Sequence, residues 1–385
     1  MKDVILIANA GSSSLKISIF AIQNKRVNDK IYNIFLEKNN NKILFYINQQ
    51  KESTTSIKDD PIEMMINLFE EWWKKQSALN LIATGHRIVH GGKNFNKPVV
   101  VNKKVIKELR VLIPLSPLHQ PYNLQVLDLF FQKYKAISHI ICFDTSFHCT
   151  NSPITKAFGL PKQYYDKGIM RYGFHGLSYQ YVSSHFKEIT MEDLPPKAII
   201  AHLGSGSSLC AIKNGLSLTS SMGFSVLDGV MMATRPGNLD PGVVLYLINN
   251  EKMTINEITE LLYKKSGLLG MSGESSDMRT LIASNSHDSK FAVDLFVYRI
   301  VLEIGKLIAA LEGIDCLIFT AGVGQNSPVI REMISKKLSW LGIKIDYEKN
   351  QKNEHRISTK GSKIKVFVVP TNEELIIAEE VMKFL

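Results

Sequence analysis

Short runs of aliphatic and β-branched residues alternate along the chain with longer stretches whose apolar residues recur at helical spacing. The short runs are VILIA, SHIICF, KAIIA, CLIFTAG and KVFVV. Their length and β-branched content predict strands. Because these strands alternate with amphipathic stretches that carry helix signals, the pattern predicts an α/β fold.

Three of the amphipathic stretches are predicted to be helices that form core. Asp60-Pro61 begins one that continues through Trp72 and Trp73, and Ser327-Pro328 begins another that runs to Leu341. A third runs from Asp288 to Leu311, with apolar residues near one face at Phe291, Leu295, Tyr298, Leu302 and Ile308. The Lys- and Asn-rich tract 24–58 contains the strand-like KILFYIN and is predicted to be a peripheral region of strand and loop.

One strand–turn–strand pattern occurs twice. VILIANAGSSSLKISIF at 4–20 is matched by AIIAHLGSGSSLCAI at 198–212, with one residue inserted in the later copy. Such an internal repeat predicts a duplicated architecture of two domains facing each other across a central interdomain cleft. We expect an N-terminal lobe of residues 1–148 plus 372–385 and a C-terminal lobe of residues 149–371, the latter carrying the dimer interface.

Composition narrows the class of protein. With 385 residues, of which 45% are hydrophobic, the chain can form about two cored domains. The 46 Lys and Arg exceed the 36 Asp and Glu by ten, but they are scattered, which favours a solvated surface over nucleic-acid binding. No apolar run reaches the roughly 18–20 residues that span a bilayer, and the opening MKDVILIANAGSSS has an acid at Asp3 instead of the basic start of a signal peptide. We therefore expect a cytoplasmic protein that binds neither membrane nor nucleic acid.

The two repeated turns have the composition of phosphate-binding loops. In the first, Gly11 to Ser14 can present N–H groups and hydroxyls to an anion, with Lys16 adding a positive charge. An ordinary Ser-rich hairpin is the competing interpretation of this copy. In the second, Gly204-Ser205-Gly206 resembles half of a dinucleotide fingerprint, but a strand rather than a helix follows it, which excludes a Rossmann site. A Walker loop and the protein-kinase motifs are absent from the sequence.

A third glycine-rich segment, TAGVGQNS at 320–327, follows the CLIF strand and leads into the Pro328 helix. The free N–H groups of that helix would favour a phosphate or the polar side of a nucleoside. Two phosphate loops on facing domains and a nucleoside site between strand and helix are the layout of the actin, Hsp70 and sugar-kinase (ASKHA) class of ATPases.

The segment HRIVHGG contains the most informative charge. His86 and His90 are four residues apart, but the β-branched residues and glycines around them predict extended backbone rather than a zinc-binding helix. Arg87 lies in apolar surroundings and requires an anion, either a bound carboxylate or a nearby Asp in a structural ion pair. Asp144, His175 and Arg235 lie in turns or at a strand end, where ligand-contacting groups are common.

Taken together, these motifs closely resemble the acetate kinase family over residues 5–380. The motifs occur in order as NAGSSSLK, HRIVHGG, SPLHQP, FDTSFH, YGFHG, HLGSGSS, SMGF, ATRPGNLDP, SGLLGMSGESSDMR, TAGVGQNS and TNEELIIAEE. The resemblance implies an actin-like homodimer that transfers a phosphoryl group directly between ATP and acetate, giving ADP and acetyl phosphate. It implies Mg²⁺ as the metal, with Mn²⁺ as a substitute.

The resemblance also implies roles for individual residues. Asp144, His175 and Arg235 would be catalytic, with the two basic residues stabilising the transferring phosphoryl group. Acetate would contact Arg87, Val89, Leu118 and Phe174. The nucleotide would contact Ser12, Ser14, Lys16, His202, Leu203, Gly204, Ser205, Gly206, Asp277, Met278, Arg279, Gly322, Val323, Gly324, Gln325 and Asn326. Asn9 and Glu373 would be associated with the metal, although Glu373 could instead belong to a helix whose Thr371 and Glu374 match a capping box.

Several positions depart from the usual family pattern: Gln120, Ser205, Thr219, Val226 and Gln325. Ser205 shortens a phosphate contact, and Val226 stands where the acyl pocket usually has Pro. One methylene contributes only about 1–3 kcal/mol of discrimination, so the sequence does not separate propionate from acetate as the substrate. The motifs are also compatible with a nucleotide-dependent switch protein and with a paralogue that binds ATP without turnover.

Overall fold

The computed structural model describes residues 1–11 and 13–385. Its strands, in chain order, are β1 (Lys2–Ala10), β2 (Ser14–Gln23), β3 (Arg26–Asn39), β4 (Lys42–Ile47), β5 (Gln50–Ser56), β6 (Leu79–Ile88), β7 (Val99–Val100), β8 (Ser138–Phe143), β9 (Lys197–Leu203), β10 (Ser207–Lys213), β11 (Leu216–Ser220), β12 (Cys316–Thr320) and β13 (Lys365–Val368).

The helices are α1 (Pro61–Trp73), α2 (Lys103–Val111), α3 (Gln120–Lys133), α4 (Pro153–Lys156), α5 (Lys162–Asp166), α6 (Gly176–Ser184), α7 (Phe186–Thr190), α8 (Pro241–Asn249), α9 (Ile255–Glu260), α10 (Gly267–Ser272), α11 (Met278–Ala283), α12 (His287–Leu311), α13 (Ala321–Asn326), α14 (Pro328–Lys337), α15 (Tyr347–Gln351) and α16 (Glu373–Met382). Short 3₁₀ turns lie at Ile113–Leu115, Ser146–Thr150 and Ser339–Leu341, and a π-helical turn at Leu261–Lys265.

The chain forms two compact units, which we call unit 1 (Met1–Ser146 with Asn372–Leu385) and unit 2 (Phe147–Thr371). Among the described residues, unit 1 contains a sheet of eight strands in the order β5-β4-β3-β2-β1-β6-β8-β7, and unit 2 a sheet of five in the order β11-β10-β9-β12-β13. Helix α16 returns the chain to unit 1, where Ile377 and Val381 pack beside Gly85 of β6.

The repeated sequence pattern forms the same structure in both units. Strands β1 and β2 pair antiparallel, with Ala10 opposite Leu15, and β9 and β10 pair antiparallel, with Leu203 opposite Ser207. In each sheet the first strand of this hairpin also pairs parallel with a later strand, β6 in unit 1 and β12 in unit 2. The prediction of an α/β fold containing a duplicated hairpin is therefore confirmed.

Helix α12 presents only part of the predicted face to the core, where Leu295 and Ile308 pack against it. Phe291, Tyr298 and Leu302 are about half exposed, at 49–50%. The residues that pack in the core of unit 2 include Ala292, Phe296, Ile300, Ile304 and Leu307. The helix has apolar residues on both sides, so helical spacing could not decide which side meets the sheet.

Other predicted elements also differ in extent. The tract 24–58 forms three consecutive antiparallel strands, β3 to β5, that extend the unit 1 sheet, rather than a single strand within loops. Helix α14 ends at Lys337 instead of Leu341, and the chain continues in a 3₁₀ turn that ends at Gly342 with φ of 88°. Within the described part of the chain, none of the helices combines the length and the apolar character needed to cross a bilayer.

Candidate functional site

A cluster of charged and polar side chains lies at one edge of the unit 1 sheet. Because β6 pairs parallel with both β1 and β8, residues at the carboxyl ends of the three strands meet there. Arg87 donates from Nε to Asp144 Oδ1 at 2.8 Å and from Nη2 to Asp144 Oδ2 at 2.6 Å. Its Nη1 donates to Asn9 Oδ1 at 3.2 Å and lies 3.6 Å from Glu373 Oε2. The structure therefore brings together four of the predicted site residues.

The structural ion pair considered for Arg87 is present: its partner is Asp144, which occupies the guanidinium edge formed by Nε and Nη2. Burial opposes the charge on Arg87, but the carboxylates of Asp144 and Glu373 outweigh it and raise the pKa of the guanidinium above its ordinary value. Only the Nη1 edge remains directed toward Asn9 and Glu373. A bound carboxylate would therefore meet this edge of Arg87 rather than its bidentate fork.

Glu373 lies at the first position of α16, and the capping box proposed for this helix is not formed. Asn372 is the N-cap, with its Oδ1 accepting from the Leu375 N–H at 3.1 Å. Burial raises the pKa of Glu373. Burial would also raise the pKa of Glu374, yet its ion pair with Lys16 lowers that pKa below the usual value. The predicted phosphate ligand Lys16 is thus paired with an acidic side chain of α16.

The oxygen atoms in this cluster are of the kind that Mg²⁺ prefers. Asn9 offers an amide oxygen and Glu373 a carboxylate, both close to Arg87 Nη1. Asp144 offers a second carboxylate, which accepts from Arg87 Nη2. No group of three or more His, Cys, Asp and Glu side chains with metal-binding geometry occurs in residues 1–11 and 13–385. A site of few protein ligands completed by water and substrate phosphates is typical of Mg²⁺, so the residues present fit that ion.

Helix α3 holds the extended segment that follows Arg87. The N–H of Val89 donates to Asn123 Oδ1 at 3.1 Å, and the N–H of His90 donates to Gln120 Oε1 at 3.2 Å. Asn123 also donates to the carbonyl of Ala10 at 2.7 Å, so it joins the ends of β6 and β1. Val89 is buried, and Leu118 is partly exposed in the turn before α3.

The first repeated turn is only partly described. Ser12 lies outside the described residues, so the prediction that it contacts a phosphate has no structural counterpart here. Ser14 begins β2, and its carbonyl accepts from the Gly11 N–H at 2.8 Å.

In unit 2, two histidines lie face to face beside the second repeated turn. The rings of His175 and His202 are stacked with centroids 4.1 Å apart and planes inclined by 12°. His175 Nδ1 lies 2.8 Å from Ser208 Oγ, and His202 Nδ1 lies 2.8 Å from Ser178 Oγ. His175 has left-handed backbone, with φ of 57°, immediately before α6. Backbone in this region is uncommon for residues other than glycine and concentrates at functional sites.

Arg235 meets His175 over Gly206. A Cβ atom at Gly206 would lie 2.7 Å from Arg235 Nη2 and 3.2 Å from His175 Nε2, so only glycine leaves room for both side chains. Arg235 Nη1 donates to the carbonyl of Val226 at 2.8 Å. None of the described residues places a carboxylate within ion-pairing distance of Arg235, and burial lowers its pKa to about 10. A buried cation without a counter-charge is typical of a site that binds an anion.

The loop that carries Arg235 is held by backbone contacts. The N–H of Ala233 donates to the carbonyl of Ser205 at 3.2 Å, and the N–H of Leu268 donates to the carbonyl of Met232 at 2.9 Å. Gly267, with φ of 66°, packs so closely against this loop that a Cβ atom on it would lie 2.8 Å from the backbone nitrogen of Arg235. The guanidinium is therefore carried by a fixed turn.

A cavity of about 460 Å³ in unit 2 gathers three of the four predicted nucleotide-binding segments, 202–206, 277–279 and 322–326. Residues from these segments that line it are Gly204, Ser205, Asp277, Met278, Arg279, Gly322, Val323 and Asn326. Ala233, Leu268, Ser276, Phe296 and Ser327 complete the lining. His202, Leu203 and Gly206 belong to the same strand and turn as Gly204, whereas Gly324 and Gln325 lie within α13.

Two details of this cavity differ from the prediction. The third glycine-rich segment is not a loop, because residues 321–326 form the short helix α13 before α14 begins. Asp277 is the N-cap of α11, and its Oδ2 accepts from Arg279 Nη2 at 2.6 Å. Hydrogen bonds from Arg279 lower the pKa of Asp277 to about 2.

A model of the acetokinase family matches residues 4–379 of this chain. The chain belongs to the acetokinase family. It is 92% identical, over the full length of both chains, to acetate kinase from Rickettsia typhi. The crystal structure of Porphyromonas gingivalis acetate kinase has a TM-score of 0.87 at 34% identity and covers 99% of each chain. A propionate kinase from Francisella tularensis has a TM-score of 0.88 at 33% identity and covers 98% of each chain. The family, the fold and the carboxylate-kinase class predicted from the motifs are thereby confirmed.

Sequence reasoning about this acetokinase missed one buried cation beside the nucleotide segments. Arg331 of α14 is fully buried, and its Nη1 donates to the carbonyls of Gly324 at 2.9 Å and Gln325 at 2.7 Å. Its Nε and Nη2 donate to Asn350 and Asn353. Burial lowers the pKa of Arg331 to about 10. The only available signal was an arginine one turn into the Pro328 helix, at a position where apolar residues surround it.

Proposed function

We propose that this acetokinase catalyses the reversible transfer of the γ-phosphoryl group of ATP to acetate, giving ADP and acetyl phosphate. The observation that supports this reaction most strongly is the meeting of Arg235 Nη2 and His175 Nε2 over Gly206, beside the cavity lined by the nucleotide segments. Charge on a transferring phosphoryl group spreads over its equatorial oxygens, and cationic and N–H donors placed beforehand stabilise it.

Arg235 and His175 are proposed to contact the transferring phosphoryl group. The absence of a described carboxylate partner leaves the charge on Arg235 available to an anion, while Val226 fixes the orientation of the guanidinium. The carboxylate of acetate is already ionised near neutral pH, so its attack on phosphorus requires no general base. Asp144 accordingly orients Arg87 through its bidentate hydrogen bonds.

Arg87 is proposed to bind the acetate carboxylate through its Nη1 edge, with Val89, Leu118 and Phe174 around the methyl group. Ser12, Ser14 and Lys16 are proposed to contact phosphates, which requires Lys16 to exchange its partner Glu374 for the nucleotide. The residues lining the cavity of unit 2 would bind the rest of ATP. Asn9 and Glu373 would hold Mg²⁺, which when bound neutralises phosphate charge; Mn²⁺ favours the same oxygen donors.

The assembly and location proposed for this acetokinase are a homodimer in the cytoplasm. Exposed apolar side chains on α8 (Val243, Leu245, Tyr246, Ile248) and on α12 (Phe291, Tyr298, Leu302) favour contact with a second copy through unit 2. The buried free thiols of Cys142, Cys210 and Cys316 fit a reducing compartment.

A substrate panel tests the reaction. The purified protein is incubated with MgATP and hydroxylamine, and with acetate, propionate or butyrate in turn, and acyl hydroxamate is measured. We expect hydroxamate formation with the highest kcat/KM for acetate. A higher kcat/KM for propionate would favour the second candidate, a propionate kinase, which the Francisella tularensis structure and Val226 in the acyl pocket position support. Silence with all three carboxylates would remove the proposal.

A further inference from the structure

A chain of three buried polar groups leads from the interior of unit 2 to His175. Tyr179 of α6 and Ser208 of β10 are both fully buried. The Tyr179 hydroxyl is hydrogen-bonded to Ser208 Oγ, and Ser208 Oγ lies 2.8 Å from His175 Nδ1. Tyr179 and Ser208 were not among the residues predicted from the sequence, and neither faces the cavity lined by the nucleotide segments.

The number of hydrogen-bond donors and acceptors in the series Tyr179–Ser208–His175 decides which group donates to which. Among the described residues, Ser208 Oγ is the hydrogen-bond partner of the Tyr179 hydroxyl. Burial raises the pKa of Tyr179 well above its ordinary value, so the phenol keeps its proton. Because a buried O–H is costly without an acceptor, Tyr179 donates to Ser208 Oγ. The one hydrogen of Ser208 is then free to donate to His175 Nδ1.

The opposite direction would leave a buried donor unsatisfied. If His175 Nδ1 carried a proton and donated to Ser208 while Tyr179 also donated to it, the hydrogen of Ser208 would have no acceptor among the described residues. Otherwise the hydrogen of Ser208 would point at Tyr179. The hydrogen of Tyr179 would then have no acceptor among the described residues. Neutral imidazole carries its proton on one nitrogen only, so an accepting Nδ1 means that the proton is on Nε2.

The groups around His175 also disfavour a second proton on its ring. The His202 ring is stacked on it at 4.1 Å, and the Arg235 guanidinium approaches the same point over Gly206 as His175 Nε2. A positive charge beside a guanidinium is electrostatically unfavourable. Cys210 and Glu303 act on the pKa of Tyr179, and the His148 ring packs against the Tyr179 ring with centroids 5.7 Å apart.

We propose that Tyr179 and Ser208 are positioning residues that hold His175 as the neutral Nε2–H tautomer, with that N–H directed to the place where Arg235 meets it over Gly206. This inference rests on the proposed function, in which His175 donates a hydrogen bond to the transferring phosphoryl group. The donor on Nε2 would thus be present before substrate binds, and turnover would require no tautomer exchange.

The first measurement is spectroscopic and needs no activity. The protein is labelled with ¹⁵N-histidine, and the ring nitrogens of His175 are assigned by their loss in a His175→Gln variant. We expect His175 of the unmodified protein to show a protonated Nε2 and an unprotonated Nδ1. In Tyr179→Phe and Ser208→Ala, the two nitrogen shifts should move toward values averaged between tautomers. A protonated Nδ1 in the unmodified protein, or unchanged shifts in both variants, would overturn the inference.

The second measurement is kinetic. In Tyr179→Phe, kcat should fall at least about fivefold, as expected when a hydrogen bond to the reacting group is weakened, while the KM values for ATP and acetate change less than about twofold. Tyr134→Phe is the matched control, since Tyr134 donates to Glu70 at 2.7 Å in unit 1. It should keep kcat within about twofold. Equal loss in both variants would indicate a general effect of removing a hydrogen-bonded phenol hydroxyl and would contradict the inference.

The two proposals fail in different ways. If the His175→Gln variant keeps its activity, the proposed role of His175 in catalysis is wrong, whatever the tautomer. If that variant is inactive but Tyr179→Phe and Ser208→Ala keep both the nitrogen shifts and kcat, only the positioning role is wrong. Ser208→Thr retains the hydroxyl and should restore the shifts lost in Ser208→Ala.

Discussion

Arg87 and Arg235 occupy opposite electrostatic settings, although both are arginines in proposed contact with substrates. Arg87 has two carboxylates around it, and Asp144 occupies its bidentate fork. Arg235 has a single carbonyl partner, Val226, and no carboxylate partner among the described residues. A paired guanidinium is held in place and contributes mainly to positioning, whereas an unpaired one can respond fully to charge that develops on a ligand.

Replacing Arg235 should therefore act on the transition state. Arg235→Ala is expected to lower kcat by about 10³ or more, with a modest change in the ATP KM, measured by the hydroxamate assay. Arg235→Lys keeps the charge but lacks the planar guanidinium, whose fixed N–H groups can face the Val226 carbonyl and an anion at the same time, so it should recover only part of kcat. A loss under about tenfold in Arg235→Ala would show that the residue is wrongly assigned.

Replacing Arg87 should act on carboxylate binding. Arg87→Ala is expected to raise the acetate KM more than the ATP KM, because the Nη1 edge is proposed to contact acetate. Asp144→Asn, which loosens the fork but keeps Arg87 in place, should produce a smaller rise in the acetate KM. Equal changes in both KM values for Arg87→Ala would count against a carboxylate contact.

Helices α13 and α14 show how a helix pair shapes the unit 2 cavity. Helix α13 is short and cannot be stable alone, since isolated helices of this length do not persist in water. Arg331 of α14 donates to two consecutive carbonyls near the C-terminal end of α13, and it also donates to Asn350 of α15. These hydrogen bonds fix the position of a segment that lines the cavity.

Arg331→Leu should consequently impair nucleotide binding. The buried carbonyl of Gly324 and the partly buried carbonyl of Gln325 would lose their donor, and we expect the ATP KM to rise at least about tenfold while the acetate KM changes less. Arg110→Leu, which removes an exposed ion pair with Asp128, is the control and should leave both values unchanged. An unaltered ATP KM in folded Arg331→Leu would contradict this role.

The strands of unit 1 contain a buried group that makes stability depend on pH. Thr84 Oγ1 lies 2.8 Å from His86 Nε2 and 2.6 Å from His139 Nδ1. Burial, with a smaller contribution from His139, lowers the pKa of His86 to about 3. The unfolded chain therefore binds a proton on this histidine at higher pH than the folded chain does, and acid favours unfolding.

Thermal unfolding at several pH values tests this linkage. The contribution of neutral His86 to the free energy of unfolding is complete above about pH 6.5 and is lost as pH falls toward about 3. The loss between pH 6.5 and pH 5 amounts to roughly 2 kcal/mol. His86→Gln should lower Tm near pH 7 but show a smaller further decrease at pH 5. His287→Gln, at an exposed histidine, should follow the unmodified protein. Identical decreases in Tm for all three proteins would exclude His86 as the cause.

The two units of this acetokinase each have their own hydrophobic core. Apolar side chains that lie outside these cores, on the surface, are the ones that can contact a second copy. The exposed apolar residues of α8 and α12 in unit 2 are unusual for helices that face only water. Helix α8 buries none of its side chains. This is the basis for the proposed homodimer.

Light scattering during gel filtration tests the assembly. Tyr298→Glu should convert the dimer to a monomer, because a charge would be placed in the proposed interface without a partner. Met191→Asp, at another exposed apolar residue of unit 2, should leave the mass unchanged. A monomeric unmodified protein, or a dimer that survives Tyr298→Glu and Phe291→Asp together, would argue against this interface.

Features that depend on neighbouring residues could be predicted from the sequence. The strands, the repeated hairpin and two of the segments that line the unit 2 cavity, 204–206 and 320–327, followed from periodicity and turn residues, because these act over a few positions. The third segment, 277–279, was implied only by the resemblance to the family. The order of the motifs along the chain is specific enough to indicate the family without any geometry.

Features that depend on partners far apart in the chain required the folded structure. Helical spacing could not distinguish the two apolar sides of α12, and an isolated arginine in a helix gave no sign that it would hold Gly324 and Gln325. The pairing of Lys16 with Glu374 and of Tyr179 with Ser208 likewise joins separate elements. Hydrogen-bond and ion-pair partners are selected by which side chains the packed strands and helices bring within a few ångströms, and burial then sets the strength of each contact.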